Sequence, residues 1–416
     1  MRRARFPPRP IGATDNDVPR PGFEGGCASV DHRRTTVRLN TYEDWSPLRE
    51  IIVGSATNYT SHDREMSFEL YFHDNIHGNS GLYIPRLDPH SGGDPVGRSP
   101  IKDRYLEELN EDIDGLVETL ESLSVKVLRP LEKDALLGDV RTPAWSASVV
   151  PPLNVRDNTL IVGDEIIETP PMIRSRYFET QFLTPHFAEY FRLGARWTVM
   201  PRPLMTDASF DLSYAAGNPN KRGPVEPVQS PGVSPYDVGY EMMFDGAQCL
   251  RLGRDVMVNI ANRNHEIAVE WLERHLEGRF RLHRVYRLSD SHIDSMVLAL
   301  RPGLLLVRSD AVADQLPAKL QSWDRIVAPA PARNNFPAYE DDDLVLTSPY
   351  IDLNVLSIDE NTVLVNEASP ELMRTLEHHG FTTVPVRHRH RRLFGGGFHC
   401  FTLDTVRAGG AEDYLG

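Results

Sequence analysis

A repeated order of a β-hairpin, a helix and a further strand constrains the fold of this chain more than any other feature. The clearest copy begins at Cys249, where CLRLGRDVMVNIA predicts strand, tight turn and strand, NHEIAVEWLERHLEG predicts an amphipathic helix ending near Gly278, and FRLHRVY predicts a closing strand. The order recurs from Met296 and from Val355, and two less regular copies start at TLIVG and EIIVG. One such unit cannot bury its own apolar face, so we expect the five units to pack together.

The strand segments of these units are nearly all apolar, as IIVG, LIVG, MVNI, LLLV and VLVN show. Such runs are typical of strands that are covered on both faces. We therefore predict an α/β fold in which five ββαβ modules form a pseudo-symmetric, five-bladed propeller around a shared centre. A doubly wound α/β sheet is the alternative, but it calls for strands that alternate with helices rather than for a hairpin with each helix.

Two regions fall outside the repeat. Residues 1–40 are rich in Arg, Pro, Gly and Asp and have no apolar period, so we predict a mobile N-terminal tail followed by one five-module domain over 41–416. A mitochondrial-type targeting segment is an alternative for the tail, although Asp15 and Asp17 argue against it, because such segments avoid acidic residues. The Pro- and Gly-rich residues 218–237 predict a long surface loop or lid.

Charge and cysteine content narrow the classes of function. The chain has 45 Lys and Arg against 59 Asp and Glu, a formal charge of −14, which argues against non-specific binding to nucleic acid or to an anionic membrane. No apolar run reaches the roughly 18 residues of a membrane span. The cysteines Cys27, Cys249 and Cys400 are too few for a disulfide framework and wrongly spaced for a zinc site, so we expect a reducing, cytoplasmic location.

The densest chemical signal is the run GGGFHC, which ends at Cys400. Three consecutive glycines predict an unusual backbone path or a close approach to a ligand. Cys400 is either a nucleophile or a small buried apolar residue, and a nucleophilic thiol needs a base or a cation nearby. Among the 15 histidines, His388 and His390 lie in the basic run VRHRHRR, and we expect both to be exposed to solvent.

His292 is the better candidate for a base, because SHIDS leads directly into the strand MVLAL. Residues two apart in an extended segment point to the same side, so His292 and Asp294 are expected to face one site. Asp157 and Asp245 precede the first strands of two other modules, and each is alternatively a turn or cap residue. In a ring of modules these positions converge, and carboxylates with an imidazole and a thiol suit a planar cation such as a guanidinium.

Several long segments together resemble the amidinotransferase family, which includes glycine amidinotransferase and the inosamine-phosphate amidinotransferases of aminoglycoside biosynthesis. They are TYEDWSPLREIIVG, RDNTLIVGDEIIETP followed by RSRYFE, FDGAQCLRLGRD, SHIDS followed by LRPGLLLV, and GGGFHC. The segments occur in family order from Thr41 to the C-terminus. The resemblance implies the pentein-type ring of five ββαβ blades, in agreement with the repeat.

The resemblance also implies a reaction and a role for each matching residue. Cys400 matches the nucleophile that takes the amidino group of L-arginine as a covalent amidino-thioether and releases ornithine. His292 matches the general acid and base, and Asp245 matches the carboxylate that orients it. Asp157 and Asp294 match the acids that hold the guanidinium, and Ser348 matches a serine that contacts substrate. The resemblance implies an amine acceptor and a possible homodimer, with no cofactor and no metal, since arginine carries the transferable group.

One departure from the family pattern concerns substrate recognition. The family carries Asn-Pro-x-Arg after the strand LLLV, with an arginine that binds an amino-acid carboxylate, whereas this chain has RSDA, with Ala311 in place of that arginine. With the long segments over 58–104 and near Val225, this favours a larger amine from specialised biosynthesis, an aminocyclitol or an amino-acid-derived unit, over glycine. A guanidine hydrolase of the arginine deiminase or dimethylargininase type, and a binding protein without activity, remain alternatives.

Overall fold

The computed structural model describes residues 38–60, 62, 65–71, 101–132, 136–210, 239–289, 292–339 and 345–416. Most of the predicted tail, the predicted loop over 218–237 and much of the segment over 58–104 lie outside these residues. Leu39, within the predicted tail, is buried, and Asn40 pairs with Val406. Within the described part, no helix combines the length and the apolar character that crossing a membrane requires.

Five three-stranded sheets share one topology: two antiparallel strands, then a third strand parallel to the middle one. Taken from first to third strand, sheet I comprises Thr402–Arg407, Leu48–Val53 and Lys126–Leu128, sheet II Thr159–Val162, Glu165–Glu168 and Arg196–Val199, sheet III Cys249–Leu252, Asp255–Ile260 and Arg281–Tyr286, sheet IV Val297–Arg301, Leu304–Val307 and Asp324–Val327, and sheet V Leu356–Ser357, Thr362–Asn366 and Thr382–Val386. A two-stranded ribbon joins Asp139–Arg141 to Ser146–Ser148.

Sheet I departs from the predicted module in one respect. Its antiparallel pair is not a local hairpin, because Thr402–Arg407 comes from the C-terminal end of the chain and pairs with Leu48–Val53. The two ends of the described chain are therefore held in one sheet, and Cys400 lies just before the strand that completes it.

The helices follow the predicted positions. They are Met66–Tyr71, Asp103–Ser122, Thr184–Arg192, Arg263–Leu276, Asp310–Ala313, Ala318–Gln321 and Pro370–His378. The side chain of Asn262 caps Arg263–Leu276 by accepting a 3.0 Å hydrogen bond from the His265 backbone N–H. Gly278 and Gly380 follow two of the helices with φ of +77° and +85°, which glycine adopts without strain. Ser369, expected to cap Pro370–His378, instead donates its hydroxyl hydrogen to Asp352.

The apolar strands are covered on both faces, as their composition predicted. Alternate residues point to opposite faces, so Leu306 of sheet IV packs with Val363 of sheet V, whereas Leu305 packs with Met257 of sheet III. The same relation repeats along the chain: separate apolar clusters join sheets I and II, II and III, III and IV, IV and V, and V and I. Each sheet therefore shares its core with two others.

Candidate active site

Each of the five sheets contributes a polar residue from the segment that enters its first strand. Asp157 precedes sheet II, Asp245 precedes sheet III, His292 precedes sheet IV, Asn354 precedes sheet V and Cys400 precedes the strand that completes sheet I. Short 3₁₀ helices shape three of these entries. The entries contact one another through hydrogen bonds between neighbouring sheets, so equivalent positions in the repeat converge, as the sequence predicted.

Cys400 lies at the centre of this group and is only 3% exposed. Its Sγ lies 3.5 Å from Oδ2 of Asp294, and its backbone N–H donates a 2.8 Å hydrogen bond to Oδ1 of Asn354. Side-chain donor atoms of Asp157, His292 and Cys400 all lie within 4.8 Å of one another. A group of this kind can surround one small cation, whether a metal ion or a guanidinium.

The glycines before Cys400 are explained by close contacts with two asparagines. A Cβ at Gly396 would lie 2.3 Å from Oδ1 of Asn154, and a Cβ at Gly397 would lie 2.7 Å from Cβ of Asn354. Both distances are shorter than real Cβ contacts, so only glycine fits. The predicted close approach is therefore to protein side chains that support the thiol.

His292 lies between two carboxylates. Its Nε2 is 2.9 Å from Oδ2 of Asp245, and its Nδ1 is 3.7 Å from Oδ1 of Asp157. Burial disfavours the charged ring, but Asp157, the hydrogen bond to Asp245 and the charge of Asp294 outweigh burial and raise the pKa of His292 to about 9. His292 is therefore an imidazolium at neutral pH.

The backbone beside His292 differs from the predicted one. Ile293–Ser295 forms a 3₁₀ helix, and only His292 itself is extended, with φ of −73° and ψ of 136°. The predicted common orientation of His292 and Asp294 nevertheless holds, because Asp294 contacts Cys400 and His292 lies in the same group.

Asp157 and Asp294 each have one paired and one unpaired oxygen. Oδ2 of Asp157 accepts a 2.7 Å hydrogen bond from Arg176, and Oδ2 of Asp294 is 2.7 Å from Nδ1 of His399. Oδ1 of both carboxylates is buried and has no hydrogen-bond partner among the described residues. An unpaired buried acceptor is costly, so both oxygens are suited to bind a ligand that donates N–H groups.

Negative charge dominates the site and sets the state of its thiol. Burial, together with the carboxylates of Asp294 and Asp157, raises the pKa of Cys400 well above its usual value, so the thiol is protonated in the empty site. Burial also raises the pKa of Asp157, against the opposing charges of His292 and Arg176. A planar cation bound between the carboxylates would offset their effect on the thiol and lower its pKa.

Sequence reasoning assigned no role to several residues that support the site. Arg176 and Glu179 belong to RSRYFE, and their 2.5 Å ion pair fixes the guanidinium that holds Asp157. Burial raises the pKa of Glu179 to about 7, although Arg176 opposes it. Asn354 and His399 hold Cys400 and Asp294. Asn354 carried a usable signal, because it occupies the position in its module that Asp245 occupies in another.

The predicted substrate residues near sheet V have a different placement. Ser348 lies at the start of the 3₁₀ helix Pro349–Leu353, where its Oγ accepts a 3.2 Å hydrogen bond from the Tyr350 backbone N–H. Its contact with a substrate stays a prediction. Ala311 is exposed on the short helix Asp310–Ala313. The guanidinium of Arg308 instead lies 4.7 Å from the centre of the Tyr350 ring.

The expectation that His388 and His390 are exposed is wrong. Both are buried, at 3% and 1% exposure, and burial lowers the pKa of His388 to about 3. The alternating arginines take the outward positions, where Arg387 and Arg389 donate hydrogen bonds to Asp112 of the helix Asp103–Ser122. The two histidines consequently point inward.

Comparisons with known proteins agree with this geometry. The chain is 32% identical over 375 residues to inosamine-phosphate amidinotransferase 1 of Streptomyces griseus, covering 89% of this chain and 97% of the relative. It is 30% identical over 379 residues to the L-arginine:L-lysine amidinotransferase of Pseudomonas savastanoi pv. phaseolicola, covering 90% and 96%. The solved inosamine-phosphate amidinotransferase of Streptomyces griseus superposes with a TM-score of 0.74 at 28% identity, covering 91% and 99%. A scan against protein-family models gave no match.

Proposed function

Because this chain belongs to the amidinotransferase family, we propose that it transfers the amidino group of L-arginine to an amine, with Cys400 as carrier and ornithine as first product. The buried, unpaired Oδ1 atoms of Asp157 and Asp294 beside the thiol are the observation that supports this most directly. A guanidinium presents N–H donors in a plane on both sides of its carbon. Held between the two carboxylates, it would direct that carbon at Sγ of Cys400.

The first half-reaction begins when the bound guanidinium lowers the pKa of the Cys400 thiol. The sulfur forms a bond to the guanidinium carbon, and the carbon–nitrogen bond to ornithine breaks. Nε2 of His292 is held by Asp245, so Nδ1 is the nitrogen that gives a proton to the leaving amine. His292 recovers a proton from the thiol, so the net change moves one proton from sulfur to nitrogen.

The second half-reaction reverses these steps with a different amine. The acceptor takes the place of ornithine, loses a proton to Nδ1 of His292 and attacks the amidino carbon. The carbon–sulfur bond breaks, and the thiol is restored. Asp157 and Asp294 hold the amidino group through both half-reactions, so the group keeps its place while the amines exchange.

Arg308 is proposed to bind the α-carboxylate of arginine in place of the missing arginine at position 311. Its guanidinium lies against Tyr350 and 3.7 Å from Sδ of Met296, and within the described residues it has no ion pair with a carboxylate. Met296 directly follows the 3₁₀ helix that carries Asp294, and Tyr350 belongs to the one that ends at Asn354. Arg308 therefore contacts both segments that support Cys400.

For the acceptor, we propose a larger amine of specialised biosynthesis, an aminocyclitol or an amino-acid-derived unit. The exposed Ala311 and the long segments over 58–104 and 218–237 motivated this from the sequence. The related inosamine-phosphate and lysine amidinotransferases are named for amines of these kinds.

The five sheets are proposed to form a ring of five blades with Cys400 at its centre. The cyclic order in which neighbouring sheets share apolar clusters supports this, as does the strand from the C-terminal end that completes sheet I. The single domain over 41–416, the cytoplasmic location and the homodimer stay predictions.

The test follows the guanidino carbon of labelled arginine in the presence of a panel of amines. Ornithine with a labelled, amidinated amine is the expected product pair, and labelled citrulline with ammonia would identify a hydrolase. In acid-quenched enzyme, the peptide with Cys400 should carry the amidino group. Cys400→Ala should abolish both turnover and label, while the half-buried Cys249→Ala provides the matched thiol control and should retain both.

A further inference from the structure

The short helix Met66–Tyr71 brings a phenol to the predicted acid–base pair. We propose that Tyr71 is a positioning residue: its hydroxyl fixes the Asp245–His292 pair and weakens the hold of Asp245 on the imidazolium, so that Nδ1 can release its proton. This role rests on the proposed function of His292. Sequence reasoning gave no sign of it, because Tyr71 lies in the long segment that interrupts the first module.

The geometry places one hydroxyl against both members of the pair. The Tyr71 hydroxyl donates a 3.3 Å hydrogen bond to Oδ2 of Asp245, and its oxygen lies 3.2 Å from Nε2 of His292. Nε2 is itself 2.9 Å from the same Oδ2. The three atoms therefore form a closed triangle in which the phenol donates to the carboxylate and shares the Nε2 hydrogen.

This triangle affects how tightly the ring holds its other proton. A carboxylate that accepts a hydrogen bond from a phenol has less negative charge to offer a neighbouring imidazolium. Asp245 then stabilises the charged ring less than it would alone. Nδ1, which faces Asp157, releases its proton more readily, and the bonded Nε2 keeps the ring orientation fixed.

Strong contacts hold the helix where Tyr71 can act. The Glu65 carboxylate accepts 3.0 Å hydrogen bonds from the backbone N–H groups of Ser67 and Phe68 and pairs with Arg174 at 3.2 Å. Phe68, one turn before Tyr71, is buried in an apolar cluster with Met243, two residues before Asp245. Both ends of the Tyr71–Asp245 contact are therefore attached to the same packed core.

The 3₁₀ helix Arg174–Arg176 links this helix to the opposite side of the site. Arg174 holds Glu65, and its backbone N–H donates a 2.9 Å hydrogen bond to the Ser67 hydroxyl, while Arg176 holds Asp157. One turn of chain thus supports the carboxylate near Nδ1 of His292 and the phenol near Nε2.

The expected effect takes account of all charged groups near the ring. These are Asp157, Asp245, Asp294, Cys400, Tyr71, His265, His399, Arg176 and Glu179. Tyr71→Phe removes the hydroxyl hydrogen bond and leaves the other eight groups in place. Asp245 then holds the imidazolium more strongly, so the pKa of His292 should rise.

The experiment compares Tyr71→Phe with Tyr177→Phe. Tyr177 packs against the same apolar cluster, but its hydroxyl donates a 2.8 Å hydrogen bond to the Pro203 carbonyl oxygen, away from His292. His292 is titrated by NMR in full-length, ¹⁵N-histidine-labelled protein, with His292→Asn to assign its signal. In Tyr71→Phe the pKa should rise by about half a unit or more, the effect of one hydrogen bond. Tyr177→Phe should leave it unchanged.

Activity gives a second readout. In Tyr71→Phe, kcat should fall by about threefold to thirtyfold with little change in KM for arginine, and the alkaline limb of the pH–rate profile should move to higher pH. An unchanged His292 titration, or an equal loss of kcat in Tyr177→Phe, would overturn the proposal. If Tyr71→Phe melts early, Glu65→Gln loosens the helix without removing the phenol and should move the titration in the same direction.

The titration separates this proposal from the proposed function. A raised His292 pKa in Tyr71→Phe would support the role of Tyr71 even if no amine accepted the amidino group. Amidino transfer with an unchanged titration would overturn the role of Tyr71 alone.

Discussion

The backbone N–H of Cys400 donates a hydrogen bond to Oδ1 of Asn354, and Nδ2 of the same side chain lies 3.4 Å from the backbone oxygen of Asp294. The Asn354 backbone oxygen also accepts a hydrogen bond from the His399 N–H. One buried amide thus fixes the backbone of the predicted nucleophile relative to that of the acid beside it. The distance from Sγ to the guanidinium depends on this amide.

Asn354→Ala should therefore reduce both activity and stability. It leaves the buried N–H of Cys400 without its acceptor, which costs about 1–3 kcal/mol, and it frees the thiol to move. We expect kcat to fall by about tenfold or more, because misplacement of a reacting atom by about 1 Å can cost a hundredfold. Steady-state kinetics and urea unfolding measure the two effects.

The control for this prediction is Asn366→Ala. Asn366 is also buried and also joins two backbone groups, the oxygen of His388 and the N–H of Ala368. Its removal should lower stability while kcat remains close to that of the unmodified protein. Equal losses of kcat in both variants would show that Asn354 acts through stability alone.

The charge of the site predicts selective alkylation of Cys400. The thiol is protonated in the empty site because burial, Asp294 and Asp157 raise its pKa, and a cation bound there reverses part of that effect. Chloroacetamidine, a cation, should therefore alkylate Cys400 at least about tenfold faster than the neutral chloroacetamide of similar shape. Each rate is divided by the rate with a small free thiol, and peptide mass spectrometry locates the label.

Asp294→Asn tests the origin of this selectivity. It removes one carboxylate beside Sγ, so the preference for the cationic reagent should shrink while chloroacetamide reacts at least as fast as before. An undiminished preference would assign the selectivity to something other than Asp294.

The local pattern of the sequence predicted more of the site than of its support. Asp157, Asp245, His292 and Cys400 were found because each precedes an apolar strand at an equivalent position of the repeat. Asn354 has the same position, but an amide before a strand looks like an ordinary turn residue. Local pattern identified the residues that meet at the centre but not all of their chemistry.

Long-range contacts account for the remaining differences. The strand Thr402–Arg407 pairs with Leu48–Val53 across most of the chain, so no local pattern announces it. The inward orientation of His388 and His390 depends on Asp112, far away in sequence, which pairs with the arginines beside them. Tyr71 reaches the site on a helix that belongs to none of the five repeats.

A buried charge cluster predicts how stability depends on pH. Asp404 is fully buried and accepts hydrogen bonds from Arg156 at 2.6 Å, Arg251 at 2.8 Å and Arg407 at 2.8 Å. Burial favours its neutral form, but the three arginines outweigh burial and hold the pKa of Asp404 well below its usual value. Its contribution to stability is therefore complete above the unfolded-state pKa of about 3.9 and is lost as the pH falls below it.

Asp404→Asn should consequently lower the free energy of unfolding by about 3–5 kcal/mol at pH 7, because it leaves buried arginines without their partner. Urea unfolding at pH 7 and at pH values below 4 measures the loss, which should shrink in acid. Asp413→Asn, at an exposed carboxylate that pairs with Arg281, is the control and should have little effect at either pH. A loss for Asp404→Asn that is independent of pH would contradict the assignment.

Arg308 provides a test of how the donor is recognised. If its guanidinium binds the α-carboxylate of arginine, Arg308→Ala should raise KM for arginine by about tenfold or more, the range of a hydrogen bond between charged groups, with a smaller change in kcat. Agmatine, which is arginine without the carboxylate, should be used equally poorly by both proteins. Arg301→Ala is the matched control, because Arg301 also stacks on an aromatic ring, 4.8 Å from the centre of Phe381, at the other end of the same hairpin. If Arg308→Ala impaired agmatine and arginine equally, Arg308 would support the Tyr350 segment rather than bind the carboxylate.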